Sequence, residues 1–121
     1  MTMIFRPATA GDFIALQGKP PESTVRAHVA EHDGQVLAAF GVYYTNGITV
    51  AFTIMGDGMR KHRKSIMRFA RFVMAKIAAM PGPIYALCSR TEETAPRFLA
   101  RLGFEFMSES DAGDLYKLKG A

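Results

Sequence analysis

Along the chain the spacing of apolar and polar positions changes period several times. Residues 3–6 read as a short opening strand, and Pro7-Ala8-Thr9 leads to Asp12 and Phe13, where a short helix to about Gln17 begins. Gly18 and the pair Pro20-Pro21 break it. Residues 24–32 alternate, with Val25, Ala27 and Val29 on one face and Arg26, His28 and His32 on the other, which predicts a half-buried strand. Asp33-Gly34 is a two-residue hairpin signal, and the apolar segment 36–44 is a second strand pairing back on the first. Asn46-Gly47 repeats the signal, and 48–55 is a third strand, ending at Gly56-Asp57-Gly58. An antiparallel meander follows.

The period then becomes helical from about Lys61 to Ala79, stopped by Pro81-Gly82-Pro83. Residues 84–88 form a short apolar strand, 92–102 a second helix ended by Gly103, and 104–106 with 114–118 the closing strands. The order is strand, helix, three strands, helix, strand, helix, two strands. That is a mixed α/β fold, one domain over 1–121. Its strand, long helix, strand unit requires a right-handed crossover and a parallel pair, joined to the antiparallel N-terminal meander.

Composition changes this picture little. With 121 residues, 49% hydrophobic and 21% charged, the chain closes one core and is neither disordered nor membrane-spanning. Its longest apolar stretches, such as 48–55, fall short of the ~20 residues of a membrane helix, and residues 1–7 lack the features of a secretion signal, so the expected location is the cytoplasm. The lone cysteine, Cys88, sits in the apolar run 84–88 and reads as a buried thiol. Three histidines show no metal-ligand spacing, so no metal is expected. The charge of +4 matters more, because four of the basic residues lie within 60–64 around His62 and make a local cationic surface.

The element order, the opening Ile4-Phe5-Arg6-Pro7-Ala8 and the stretch Arg97-Phe98-Leu99-Ala100-Arg101-Leu102-Gly103-Phe104 together resemble the GNAT (Gcn5-related N-acetyltransferase-like) superfamily over nearly the whole chain. The resemblance implies acetyl-CoA binding at the turn before the long helix, where a Gln/Arg-x-x-Gly-x-Gly/Ala pattern presents backbone N–H groups to the pyrophosphate. Here that turn reads Arg60-Lys61-His62-Arg63-Lys64-Ser65, so Arg63 and Ser65 stand in place of Gly and Gly/Ala, and Arg60 keeps the pattern. Arg60, Arg63, Lys64 and Ser65 are therefore the expected cofactor-binding residues, holding acetyl-CoA weakly or not at all, with long cations replacing part of the backbone contact. The family's tyrosine general acid corresponds to Leu99, which cannot donate a proton. Its fourth-strand carboxylate has no counterpart in 48–55. Asp57, past the strand end, is the nearest acid; Tyr43, Tyr44 and Tyr85 are candidate acids and Glu31 a candidate base, yet single polar residues on strands more often pack across the sheet. No catalytic residue is assigned.

Residues 60–106, with Arg60-Lys61-His62-Arg63-Lys64-Ser65-Ile66-Met67 and Arg97-Phe98-Leu99, are also similar to a small GNAT-like internal virion protein family of short-tailed phages. That resemblance implies a protein incorporated into the virion or acting in its assembly.

On a helical wheel Ile66, Phe69, Ala70, Val73 and Ile77 cluster on one side, and Lys61, Lys64, Arg68 and Arg71 on the other. Phe72 falls among the cations. An exposed aromatic beside arginines is a mark of protein interfaces, so Lys61, Lys64, Arg68, Arg71 and Phe72 form the expected docking face for a virion or assembly protein or a second copy. Nucleic acid is the weaker fit, since stacking on bases takes more than one exposed aromatic. Two functions follow: protein binding with acetyl transfer lost or vestigial, favoured by the three missing chemical parts, or acetyl-CoA-dependent N-acetyltransfer to an unidentified amine, favoured by the fold.

Overall fold

The computed structural model describes residues 3–21, 24–88, 95–111 and 113–119, with the side chains of Asp57, Arg60, Arg63 and Ala95 outside that description. Strands β1 (Ile4–Pro7), β2 (Val25–His32), β3 (Gln35–Thr45), β4 (Ile48–Met55), β5 (Ile84–Cys88), β6 (Phe104–Ser110) and β7 (Gly113–Leu118) form one seven-stranded sheet in the order β1-β2-β3-β4-β5-β7-β6. Helices α1 (Ala10–Gln17), α2 (Arg63–Ile77) and α3 (Ala95–Arg101) complete the fold. Among the described residues only the β4–β5 pair is parallel.

Both hairpin signals act as their chemistry requires. Asp33 and Gly34 have φ of 52° and 78°, and Asn46 and Gly47 have 49° and 77°. Two consecutive left-handed residues define the turn that matches strand twist, so the register Val42↔Ala51 and Ala27↔Gly41 is set locally. Gly41 is needed for another reason. A Cβ there would collide with the carbonyl oxygen of Arg26 and lie 2.5 Å from Ala27 Cα, so β2 and β3 approach too closely for any side chain.

The two sheet faces are covered by different helices. Phe13 of α1 packs with Val29 and Ala39, flanked by Leu16, Val25, Ala27, Phe52 and Ile54. On the opposite face Phe69, Ala70, Val73, Met74 and Ile77 of α2 join Ala38, Phe40, Val42, Ala51, Ile84 and Ala86. The stripe expected of α2 is thus its buried side. β2 differs from the half-buried expectation: Ala30 is fully buried and the His28 ring meets Phe72 of α2 edge-on at 5.5 Å, so both its faces are covered. A bulge between Ala30 and Glu31 then breaks the alternation before His32.

α2 begins two residues later than its periodicity predicts. Residues Asp57–Lys61 form a 3-10 turn closed by Met59 N–H to the Gly56 carbonyl (3.1 Å) and His62 N–H to the Met59 carbonyl (2.9 Å). Met59 is fully buried, and that anchor holds the turn tight. Residues 92–94 of the second expected helix lie outside the described residues, and β6 runs to Ser110 rather than stopping at Phe106. No helix among the described residues is long and apolar enough to cross a membrane.

Candidate functional site

The parallel seam is short. β4 and β5 pair at Thr49↔Ile84, Val50↔Tyr85 and Ala51↔Ala86 and no further, although β4 continues to Met55 and β5 to Cys88. Each continuation keeps its outer neighbour: Phe52 to Met55 stay paired with β3, and Leu87 and Cys88 with β7. Along their inner edges the two strands therefore stop pairing with each other, and backbone groups that a continuous sheet would pair have no strand partner there. Such groups suit the amides of an extended ligand.

The far end of β4 delivers the chain to α2 through Gly56, whose N–H bonds the Leu37 carbonyl at 2.8 Å. A Cβ on Gly56 would come within 2.8 Å of that oxygen, so glycine keeps the turn against β3. α2 starts with His62 as N-cap, no side chain caps it, and its first internal bond is Ile66 N–H to the His62 carbonyl at 2.9 Å. The N–H groups of Arg63, Lys64 and Ser65 precede that bond and have no intrahelical acceptor. Lys61 and Lys64 are exposed beside them and no acid lies in the first turn, so partial and full positive charge coincide. The expected cofactor residues Arg60, Arg63, Lys64 and Ser65 are thus gathered at one helix start, although the side chains of Arg60 and Arg63 lie outside the described ones. The His62 ring stands 6.1 Å from that of His32, a juxtaposition the sequence hides because it depends on the end of β2 meeting the start of α2.

The candidate proton-transfer residues scatter. Glu31 is engaged by Arg6, whose Nε and Nη2 donate to its Oε1 at 3.0 and 2.9 Å, so it serves the fold and is no free base. Arg6 also grips Asp12 with two nitrogens, at 2.8 and 2.9 Å. Hydrogen bonds from Arg6 outweigh burial and, with the Thr9 backbone, hold the Asp12 carboxyl down at about 2, while the two carboxylates push the guanidinium far above its ordinary value. Leu99 is half-buried against the core, a packing residue as its neighbours Phe98 and Leu102 imply. Tyr43 is half-buried with its ring 5.9 Å from Phe52, Tyr44 is exposed, and Tyr85 is half-buried on β5 at the seam itself. The Asp57 side chain lies outside the described ones. On β4 the polar side chain past the seam is Thr53, whose hydroxyl donates to the Ala39 carbonyl at 3.2 Å.

The expected docking face is divided. Lys61, Lys64, Arg68, Arg71 and Phe72 are all exposed, but Arg71 leans toward the end of α3 while Phe72 leans toward β1 and β2. Phe72 is 38% exposed, yet its ring lies 5.4 Å from Phe5 and 5.5 Å from His28, with Lys76 Nζ over it at 5.1 Å. It is not an unpartnered aromatic. Burial, with Lys76 adding to it, pushes the His28 imidazole below its ordinary value.

No protein-family model and no curated protein matches the sequence. Solved structures do. An N-acetyltransferase (PaiA) from Thermoplasma acidophilum, determined with coenzyme A, superposes with a TM-score of 0.68 at 11% identity over 98% of this chain and 99% of that one. A GNAT-family acetyltransferase from Staphylococcus aureus Mu50 gives 0.73 at 11% identity over 97% and 98%. The aminoglycoside acetyltransferase AAC(6')-Ib, also with coenzyme A, gives 0.64 at 14% identity over 96% and 93%. The chain has the fold of the GNAT acetyltransferases across its length.

Proposed function

We propose that the protein is an acetyl-CoA-dependent N-acetyltransferase that holds its acyl donor in the β4–β5 cleft and at the start of α2. The observation that carries this reading is the parting of the two parallel strands beside an uncapped, cationic helix N-terminus. The Arg63, Lys64 and Ser65 N–H groups suit a pyrophosphate, and the inner edges of β4 and β5 suit the donor's amides. The likeness to acetyltransferases, two of them determined with coenzyme A, supports transfer ahead of the binding-only role expected from the missing acid, base and glycines.

In such a reaction the amine nitrogen forms a bond to the acetyl carbon, the carbon–sulfur bond breaks, the nitrogen loses a proton and the thiolate gains one. Leu99 can exchange no proton, β4 carries no carboxylate, and Glu31 is tied to Arg6. The chain's contribution is then positioning, with protons passing to and from water. Rates should rise with pH until the acceptor amine is deprotonated.

Calorimetric titration with acetyl-CoA and with desulfo-CoA tests the donor site. Saturable binding is expected, weakened about tenfold by the double change Lys61→Ala/Lys64→Ala, about 1.4 kcal/mol, and weakened by salt in the parent more than in the variant. Absence of binding at millimolar acetyl-CoA would overturn the reading.

A second reading, docking of a virion or assembly protein or another copy through Lys61, Lys64, Arg68 and Phe72, draws on the exposure of Phe72. Its case is narrower than the sequence implies, because intramolecular contacts account for much of that ring. The likeness of residues 60–106 to the phage virion family is the support for naming such a partner.

A further inference from the structure

At the other end of α2 from the proposed donor site, an open depression of about 380 Å³ lies between α2, the end of α3 and the end of β7. Arg71 lies eight residues beyond the start of α2, so the depression begins roughly 12 Å along the helix from those N–H groups. Its floor is apolar: Met74 and Leu118 are buried at 8% and 7% exposure, and Leu102 is half-buried. Its rim is cationic, formed by Arg71, Arg101 and Lys119. We propose that this depression is a second ligand site, for a small amphipathic carboxylate of the medium-chain fatty acid type, independent of acetyl transfer.

Charge carries the first part of the case. Three cations converge on one depression, and among the described residues neither Arg71 nor Arg101 has a carboxylate within salt-bridge distance. Lys119 reaches Glu105 at 3.8 Å with both side chains largely exposed, a pair too loose to neutralise the rim. Arg101, in the last turn of α3, answers the negative end of that helix, but Arg71 stands in mid-helix and has no such reason to be there. Uncompensated like charges around a concavity favour an anion, and guanidinium groups favour a carboxylate or phosphate.

Shape carries the second part. The volume lies at the lower end of the ~300–1,000 Å³ of small-molecule sites. Met74 and the two leucines present flexible aliphatic carbon with no N–H or O–H group on their side chains, so the body of the ligand is aliphatic and its polar end meets the rim. Ala75 lines the same depression, and its small side chain leaves the space open.

Decanoate, below its micellar concentration, is the probe, with decanol and acetate as controls, read by calorimetry and by backbone amide NMR shifts. Saturable binding of decanoate, at least tenfold tighter than either control, is expected, with shifts centred on residues 71–78, 101–103 and 118–119. Arg71→Gln/Arg101→Gln should weaken decanoate about tenfold, and Ala75→Phe should abolish its binding. Both variants alter exposed positions, should keep the parent circular dichroism spectrum, and should bind acetyl-CoA as the parent does. Equal binding of decanol, no loss in the double variant, or shifts located elsewhere in the parent would overturn the assignment. So would an acidic peptide saturating the depression where decanoate does not. If acetyl-CoA fails to bind but decanoate binds as described, the transferase reading falls and this site stands.

Discussion

The sheet has a tied half and an open half. From β1 to β4 every strand is held to its neighbour by an antiparallel ladder, two left-handed turns fix the registers, and Arg6 fastens β1 to α1 and β2 through Asp12 and Glu31. α1 adds a capping box in which Asp12 Oδ2 accepts from Thr9 N–H at 2.7 Å and Thr9 Oγ1 from Asp12 N–H at 3.3 Å. Between β4 and β5, by contrast, three residue pairs make the whole seam, and the strands then diverge. The difference shows where polar groups are spent. In the tied half charged side chains satisfy one another, whereas past the seam and at the start of α2 backbone groups lack a strand or intrahelical partner.

Three changes test that contrast, in falling order of effect. Gly41→Ala places a Cβ against the Arg26 carbonyl and Ala27, so the central ladder must separate. A loss of about 3 kcal/mol or more is expected in urea unfolding, larger than any change at the seam. A loss under about 1 kcal/mol would show that β2 and β3 yield easily and that the tied half is looser than its contacts imply.

Asp12→Asn removes the Arg6 pairing and half of the capping box, and should cost on the order of 2 kcal/mol at neutral pH. The sign of its pH dependence follows from the depressed carboxyl. Its folded value of about 2 lies below the ordinary 3.8, so the stabilisation is complete above about 3.8 and disappears as pH falls through about 2. Parent and variant should therefore converge in stability between pH 4 and 2. A gap that persists at pH 2 would assign the loss to packing rather than charge.

The smallest effect is expected at Phe72, which joins α2 to the tied half through Phe5 and His28. Because the ring is 38% exposed, Phe72→Ala should cost roughly 1–2 kcal/mol, below the 3–5 of a fully buried aromatic. Sedimentation of parent and variant checks the docking reading at the same time. Loss of self-association with little loss of stability would make Phe72 an interface anchor, while a loss near 4 kcal/mol would place it wholly in the core.

Local chemistry made much of this protein legible in its sequence. Asp33-Gly34 and Asn46-Gly47 dictate their turns because so few residues accept positive φ, and the 3.6-residue spacing of Phe69, Val73 and Ile77 dictates which side of α2 is buried. The cationic helix start could be read for the same reason: its residues are contiguous. What depended on distant segments could not. Glu31 looks like a free base until Arg6, 25 residues away, is folded against it, and Phe72 looks unpartnered until β1 and β2 bring Phe5 and His28 to it. The cations of α2 form one stripe on a wheel, but α3 and β7 draw Arg71 into a separate depression with Arg101 and Lys119. The length of the β4–β5 seam was equally hidden, because a strand's sequence records its wish to pair and only the neighbouring strands decide where pairing stops.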